Sequence, residues 1–143
     1  MVRIRRSQTR RTLGRRLTRD LGHPIGLAHV GVVDAVEEGP DHPGQEVTVG
    51  AVAERLGIDP SRASRLVADA IQAGYVLRVA SQTDGRRIRL ELTDPGRELA
   101  RTVHRHRQAF FADLTHDWTE QERADFARLL TRFTDALTDA STT

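Results

Sequence analysis

The chain contains neither cysteine nor lysine, and its only methionine is the first residue. Without a thiol it can form no disulfide, no thiolate metal site and no thiol redox switch. It also lacks an apolar run of 18 residues and a signal peptide, so we expect a cytoplasmic location and no membrane partner. Phosphate-binding glycine loops and the H-E-x-x-H and G-x-S-x-G patterns are missing as well, so neither an enzyme nor a cofactor is expected.

Positive charge is placed unevenly along the chain. All 22 basic residues are arginine, and eight of them precede Asp20, the first acidic residue. The remaining 14 arginines stand against 20 acidic residues, so the rest of the chain has a formal net charge of −6. A basic arm on a mildly acidic body would follow phosphates and make binding dependent on salt. The alternative is a solvated N-terminal tail.

The stretch from Thr48 to Ile71 predicts two helices joined by a tight turn. Thr48 is a suitable N-cap for the first helix, and Gly57 can adopt the left-handed conformation that ends it. Asp59 then supplies a side-chain acceptor for the second helix, and Pro60 supplies a fixed φ at its first position. A short strand is expected just before the first helix, around residues 46–48.

The second helix has two different faces. Its apolar residues recur with helical spacing, which predicts a buried stripe of Ala63, Leu66, Val67, Ala70 and Ile71. The opposite face is polar, basic and small in its first two turns, with Ser61, Arg62, Ser64, Arg65 and Ala68. Such a surface suits the major groove of DNA, because an arginine fork can bond guanine, hydroxyls can bond bases or phosphates, and a small residue permits close approach. An ordinary amphipathic helix with a solvated face is the alternative.

A β-hairpin is predicted directly after this helix. Residues 75–79 are rich in strand-forming types, and residues 81–85 form a turn cluster that ends in Asp84-Gly85. Ile88, Leu90 and Leu92 then alternate with polar residues, as in a half-buried strand. A hairpin in this place is a wing, and Arg86 and Arg87 near its tip are suited to phosphates or a narrow minor groove.

Short motifs follow one another in fixed order between residues 47 and 99. They are Val52-Ala53-Glu54-Arg55-Leu56-Gly57, Asp59, Ser61, Ser64-Arg65-Leu66, Gly74-Tyr75-Val76, Asp84-Gly85-Arg86 and Leu92-Thr93-Asp94-Pro95-Gly96. In this order they resemble the winged helix-turn-helix core of the MarR family of bacterial transcriptional regulators. Tyr75 stands where leucine is commoner, and Gly85 stands where the wing often has a basic residue. The residues expected to bind DNA are Pro60, Ser61, Arg62, Ser64, Arg65, Asp84, Arg86 and Arg87, with Asp84 orienting Arg86.

Helices are also predicted on both sides of this core. Leu13, Leu17 and Leu21 repeat with helical spacing up to Gly22, a second helix covers residues 25–38, and a long helix runs from Thr93 to about Asp117. A capping box at residues 119–122 opens a final helix whose apolar face contains Phe126, Leu129, Leu130, Phe133 and Leu137. The resemblance assigns the first helix and the last two to a homodimer interface. The alternatives are a membrane-surface helix for the first and an intramolecular core for the last two.

No metal site is expected from the six histidines. His104 and His106 are two residues apart and cannot share a helical face, and the other four are scattered. A zinc site assembled across helices together with Asp or Glu is the alternative.

These observations predict a mainly α chain with a small β-wing, a winged helix-turn-helix with N- and C-terminal dimerisation helices. The single domain 1–143 would comprise the basic arm and first dimerisation helix (1–22), the winged helix-turn-helix lobe (25–92) and the C-terminal dimerisation helices (93–140). We expect a homodimer that binds double-stranded DNA at a pseudo-palindromic operator, most simply as a repressor. The resemblance implies a small-molecule effector, often an aromatic compound, that binds between the dimerisation helices and the DNA-binding lobe and changes the half-site spacing. The alternatives are a sequence-tolerant architectural DNA-binding protein and a winged-helix protein-interaction module without DNA.

Overall fold

Five helices and a two-stranded sheet make up the part of the chain that the computed structural model describes, residues 26–40, 45–81 and 87–141. Their order is α1 (Leu27–Glu37), α2 (Val49–Leu56), α3 (Pro60–Gln72), β1 (Val76–Ala80), β2 (Ile88–Leu92), α4 (Asp94–Leu114) and α5 (Glu120–Ser141). The prediction of a mainly helical chain with a small β-wing is confirmed. The basic arm and the first predicted helix, residues 1–22, lie outside the described residues.

Helix α1 lies at the centre of the core. It is apolar on most of its sides, as expected for a helix surrounded by other elements, and Val32 and Val33 are fully buried. Helices α2 and α3 both pack against it. The same buried cluster also contains residues of β1, β2 and the first half of α4: Val76, Leu90, Leu92, Leu99, Ala100 and Val103.

The expected strand at residues 46–48 is not formed. The carbonyl oxygen of Val47 accepts one hydrogen bond, from the amide of Leu90 at 2.8 Å, and residues 45–48 are otherwise irregular. A strand needs a repeated ladder of such bonds, whereas this segment joins β2 through this one backbone hydrogen bond and through an ion pair between Glu46 and Arg89 at 3.8 Å.

The first turn of α4 is seated on the backbone of Tyr75, the residue before β1. The Thr93 amide donates to the Tyr75 carbonyl at 3.1 Å, and the Thr93 hydroxyl oxygen accepts from the Gly96 amide at 3.1 Å. Gly96 is buried, and a Cβ atom there would lie 2.0 Å from the Tyr75 carbonyl oxygen. The L-T-x-x-G motif therefore has a steric reason, because only glycine permits this close approach.

Helix α4 ends at Leu114, three residues before the predicted Asp117. The amide of Thr115 still bonds to the carbonyl of Phe111 at 3.1 Å, and a turn then leads to Thr119. The predicted capping box opens α5. The Thr119 hydroxyl oxygen accepts from the Glu122 amide at 3.2 Å, and the Glu122 carboxylate accepts from the Thr119 amide at 2.7 Å. The Glu122 carboxylate also accepts from the Thr119 hydroxyl at 2.9 Å, and the bonds that it accepts from the amide and the hydroxyl of Thr119 hold the pKa of Glu122 below its usual range.

Contacts divide the chain into two units, Met1–Arg107 and Gln108–Thr143. In the second unit the Trp118 ring meets the Phe126 ring edge-on, with 5.3 Å between the ring centroids. Large apolar side chains of this unit are exposed, with relative exposures from 43% to 61%: Phe111, Leu114, Phe126, Leu129, Leu130, Phe133 and Leu137. None of the described helices is both long and apolar enough to cross a membrane.

Candidate DNA-binding surface

The turn between α2 and α3 has the geometry that its sequence predicts. The Thr48 hydroxyl oxygen caps α2 by accepting from the Ala51 amide at 3.3 Å. Gly57 ends α2 with a φ of 62°, in the left-handed region. The Asp59 carboxylate then accepts from the Arg62 amide at 2.8 Å, with Pro60 as the first residue of α3. The two helices are thus held in a helix-turn-helix arrangement by local bonds.

Burial along α3 separates its two faces as predicted. Ala63, Val67 and Ala70 are fully buried against α1, α2 and the sheet, while Leu66 and Ile71 are partly buried. The opposite face is exposed and contains Pro60, Ser61, Arg62, Ser64, Arg65 and Ala68. The structure therefore brings together, in the first two turns of one helix, two guanidinium groups and two hydroxyls with a small residue after them.

The wing is an antiparallel hairpin in register from Val76 opposite Leu92 to Ala80 opposite Ile88. The Ser81 amide continues the pairing with a 2.8 Å hydrogen bond to the Arg87 carbonyl. Arg87 is exposed at the start of β2. The other two expected wing residues, Asp84 and Arg86, lie outside the described residues. Arg78 on β1 is a further exposed arginine of the wing, and no motif in the sequence distinguishes it as a DNA contact.

Arg55 helps to position the helix-turn-helix, although its place in the sequence does not predict this role. Arg55, in the last turn of α2, donates from its guanidinium group to the carbonyl oxygens of Ala35 and Gly39 at the end of α1. Its side chain is only 11% exposed, and its Nε lies 3.8 Å from the Glu38 carboxylate. Arginine suits this position because its fork can reach two acceptors at once. Nothing in the local sequence marks such a contact, because its partners lie 16 and 20 residues away.

A second polar contact connects α1 to α4. The Arg107 guanidinium donates to both carboxylate oxygens of Asp34, with an Nη1–Oδ1 distance of 3.2 Å. His104, one turn earlier on α4, has its Nε2 2.9 Å from the Glu37 carboxylate. Among the residues that the structure describes, Asp34, Glu37 and His104 form the one group of three side chains arranged so that they could hold a metal ion.

A cleft of about 540 Å³ lies beside these contacts. It is bordered by α1, α2, the turn at Ile58, the start of α3 and Arg107 of α4. Its wall is mainly apolar, with Val30, Ala35, Leu56, Ile58 and Leu66, and Arg62 of the exposed α3 face also borders it. This size is within the usual range for small-molecule sites.

Comparison with known proteins agrees with this geometry. A model of the MarR family matches residues 23–87. HTH-type transcriptional regulators of Mycobacterium tuberculosis and Mycobacterium bovis, the latter uncharacterized, are each 30% identical to the chain over 95 residues, which is 66% of this chain and 66% of each relative. The chain thus spans slightly less than two thirds of the length of these relatives.

Solved structures share the fold. A MarR family protein from Bacillus stearothermophilus superposes with a TM-score of 0.75 at 20% identity, covering 92% of this chain and 87% of that one. The protein RV1404 of Mycobacterium tuberculosis superposes with a TM-score of 0.68 at 23% identity, covering 91% and 86%. With its helix-turn-helix and its wing, the described part of the chain has the winged-helix fold of MarR family proteins, and residues 23–87 match the model of that family.

Proposed function

We propose that the protein is a homodimeric regulator that binds a pseudo-palindromic operator in double-stranded DNA, most simply as a repressor in the cytoplasm. One α3 helix would enter the major groove of each half-site. The observation that carries the proposal is the exposed face of α3, where Arg62 and Arg65 stand beside two serines while the opposite face packs in the core through the buried Ala63, Val67 and Ala70. Such a helix can approach bases without losing its own packing.

Different residues of the surface would have different tasks. Arg65, on the exposed face in the second turn of α3, is assigned to base edges, and Ser61, Arg62 and Ser64 to bases or nearby phosphates. The wing arginines Arg86 and Arg87 are assigned to phosphates or a narrow minor groove, with Asp84 orienting Arg86. Loss of a base contact should relax sequence preference, whereas loss of a phosphate contact should weaken binding to every sequence.

The test is to compare Arg65→Ala with Arg86→Ala on operator duplexes with single-base changes. Arg65→Ala should cost about 1–3 kcal/mol on the operator and relax the preference at one base pair of each half-site. Arg86→Ala should weaken binding evenly, apart from losing a preference for A·T-rich minor grooves. Arg101→Ala is a matched control, because Arg101 is an exposed arginine paired with Glu98 on α4. If Arg65→Ala lowers affinity equally for all sequences, its assignment as a base reader is wrong.

The homodimer is supported by the second unit. A helical face with Phe126, Leu129, Leu130, Phe133 and Leu137 between 43% and 61% exposed is unusual for a monomer in water. A two-fold dimer would cover it with its own copy and would match two half-sites of an operator. Truncation after Asp117 should therefore produce monomers or aggregates. Sedimentation of an intact DNA-binding dimer from that variant would contradict this interface.

The cleft beside α1 supports an effector site. A small molecule bound there would contact Arg62 of the DNA-binding face as well as the apolar wall, so its binding would be coupled to operator binding. Salicylate is a suitable first probe, because it combines an aromatic ring with a carboxylate that an arginine can bind. It should lower operator affinity of the original protein but not of Ala28→Phe, which fills the cleft from an exposed position. An equal effect on both proteins would place the effect elsewhere.

Competition binding separates this proposal from its alternatives. An operator that outcompetes random duplex supports the regulator, and equal competition supports a sequence-tolerant architectural protein. Absence of DNA binding would leave a winged-helix protein-interaction module. All three are binding functions, and none assigns a catalytic residue.

A further inference from the structure

Three side chains of metal-binding type meet where α1 and α4 pack. Asp34 and Glu37 are three residues apart and therefore share one face of α1. His104 of α4 places its Nε2 2.9 Å from the Glu37 carboxylate. One ligand atom from each of the three residues can be chosen so that all of them lie within 4.8 Å of one another. We propose that Asp34, Glu37 and His104 bind a divalent transition-metal ion, with Zn²⁺ as the best-suited one.

The chemistry of the three ligands favours this class of ion. An imidazole nitrogen with two carboxylate oxygens suits zinc and its neighbours, whereas Mg²⁺ and Ca²⁺ prefer sites made only of oxygen. Zinc binds these atoms at about 2.0–2.2 Å, so tetrahedral ligands lie roughly 3.4 Å apart. The side chains of His104 and Glu37 are 51% and 37% exposed, and small rotations would bring them to that spacing. Water would complete the coordination.

The salt bridge of Asp34 with Arg107 is compatible with a bound metal. Each carboxylate oxygen has two lone pairs, so Asp34 can bind a metal with one while Arg107 holds the group in place. Carboxylates that bind metals are commonly oriented by such hydrogen-bond donors. Glu38 also borders this opening, so three carboxylates and the Arg107 guanidinium surround it. The Arg55 Nε lies 3.8 Å from the Glu38 carboxylate, and with Arg55 included the formal charge of the group is −1. A cation is therefore attracted to the opening.

Binding would join α1 to α4 within the first unit. The two helices come from distant parts of the sequence, and an ion held by both binds the folded state better than the unfolded chain. Zinc should therefore raise the melting temperature. This inference does not depend on DNA binding, so it can fail or succeed separately from the proposed function.

The test uses the full-length protein, ZnCl₂ and a chromophoric zinc chelator as competitor. His104→Ala and Glu37→Gln each remove one ligand at an exposed position. His116→Ala is the matched control, because His116 Nε2 lies 2.8 Å from the Asp117 carboxylate in the same kind of histidine–carboxylate pair, with no third ligand among the described residues. Circular dichroism of each variant without zinc verifies its fold.

We expect the original protein to bind one zinc ion per protomer at this site. Its affinity should fall at least about tenfold in His104→Ala and in Glu37→Gln, because loss of a ligand should cost no less than loss of a residue that orients one. The zinc-dependent rise in melting temperature should vanish in both variants and remain in His116→Ala. Equal zinc binding by the original protein and His104→Ala would overturn the proposal. So would an absence of zinc binding, or an equal loss in His116→Ala.

Discussion

Replacing Gly96 by alanine tests the contact that seats α4 on the start of the wing. In an ordinary helix this change stabilises a protein by about 0.5–1 kcal/mol, because alanine is the better helix former. At position 96 the new methyl group would lie 2.0 Å from the Tyr75 carbonyl oxygen, so the backbone must move. Gly96→Ala should therefore destabilise the protein instead of stabilising it.

The size of the expected destabilisation follows from the packing and the hydrogen bond that the new methyl group would disturb. Overpacking of a buried site typically costs about 1–3 kcal/mol. Displacing the Tyr75 carbonyl also weakens its 3.1 Å hydrogen bond with the Thr93 amide, and such a bond contributes about 0.5–1.5 kcal/mol. After the gain in helix propensity is subtracted, Gly96→Ala should lower the free energy of unfolding by about 0.5–4 kcal/mol.

Gly50→Ala is the matched control. Gly50 also lies in the first turn of a helix, two residues after a threonine N-cap, but the nearest atom to its Cβ position is the Thr48 hydroxyl oxygen at an ordinary 3.5 Å. That variant should gain about 0.5–1 kcal/mol. Urea unfolding followed by circular dichroism measures both, at one protein concentration because the proposed dimerisation would make stability concentration-dependent. A Gly96→Ala variant as stable as the original protein would refute the steric explanation.

Three further changes have measurable outcomes. Asp59→Ala removes the acceptor for the Arg62 amide and should cost about 0.5–2 kcal/mol in urea unfolding, with Asp59→Asn restoring most of the loss. Glu122→Ala removes a carboxylate whose pKa is lowered in the folded state. The variant should therefore be less stable than the original protein by a constant amount near neutral pH, and this difference should shrink as the pH falls below about 4.3. A constant difference down to about pH 3 would contradict this. Deletion of residues 1–11 should flatten the dependence of log K on log salt by up to about 0.9 per lost phosphate contact, whereas an unchanged slope would indicate a solvated tail.

The local parts of the fold could be predicted from the sequence. Thr48, Gly57 and Asp59 act on groups within a few residues of themselves, so residue type and spacing were sufficient to place the ends of α2 and the start of α3. The same holds for the capping box at Thr119, and for α3, where a 3.6-residue period separates the buried face from the exposed arginines.

Predictions that depended on distant partners were incomplete or wrong. Val47 and Thr48 have strand-forming side chains, but a strand also needs a neighbouring backbone, and the segment forms one backbone hydrogen bond with β2, from the Leu90 amide to the Val47 carbonyl. No periodic pattern in the sequence predicts the contacts of Arg55 with α1. The same is true of the contact between Arg107 and Asp34, which are 73 residues apart. The end of α4 was placed too late because the apolar spacing continues past Leu114 without a glycine to mark the helix end.

The position of Arg55 has a consequence for local opening. An isolated helix of eight residues is unstable in water, so α2 depends on its neighbours. Since Arg55 holds the carbonyls of Ala35 and Gly39, unravelling of the last turn of α1 and loss of α2 should be one cooperative event. Amide hydrogens of both segments should then exchange with solvent at the same opening free energy, and in Arg55→Ala both should exchange faster and no longer at one common opening free energy.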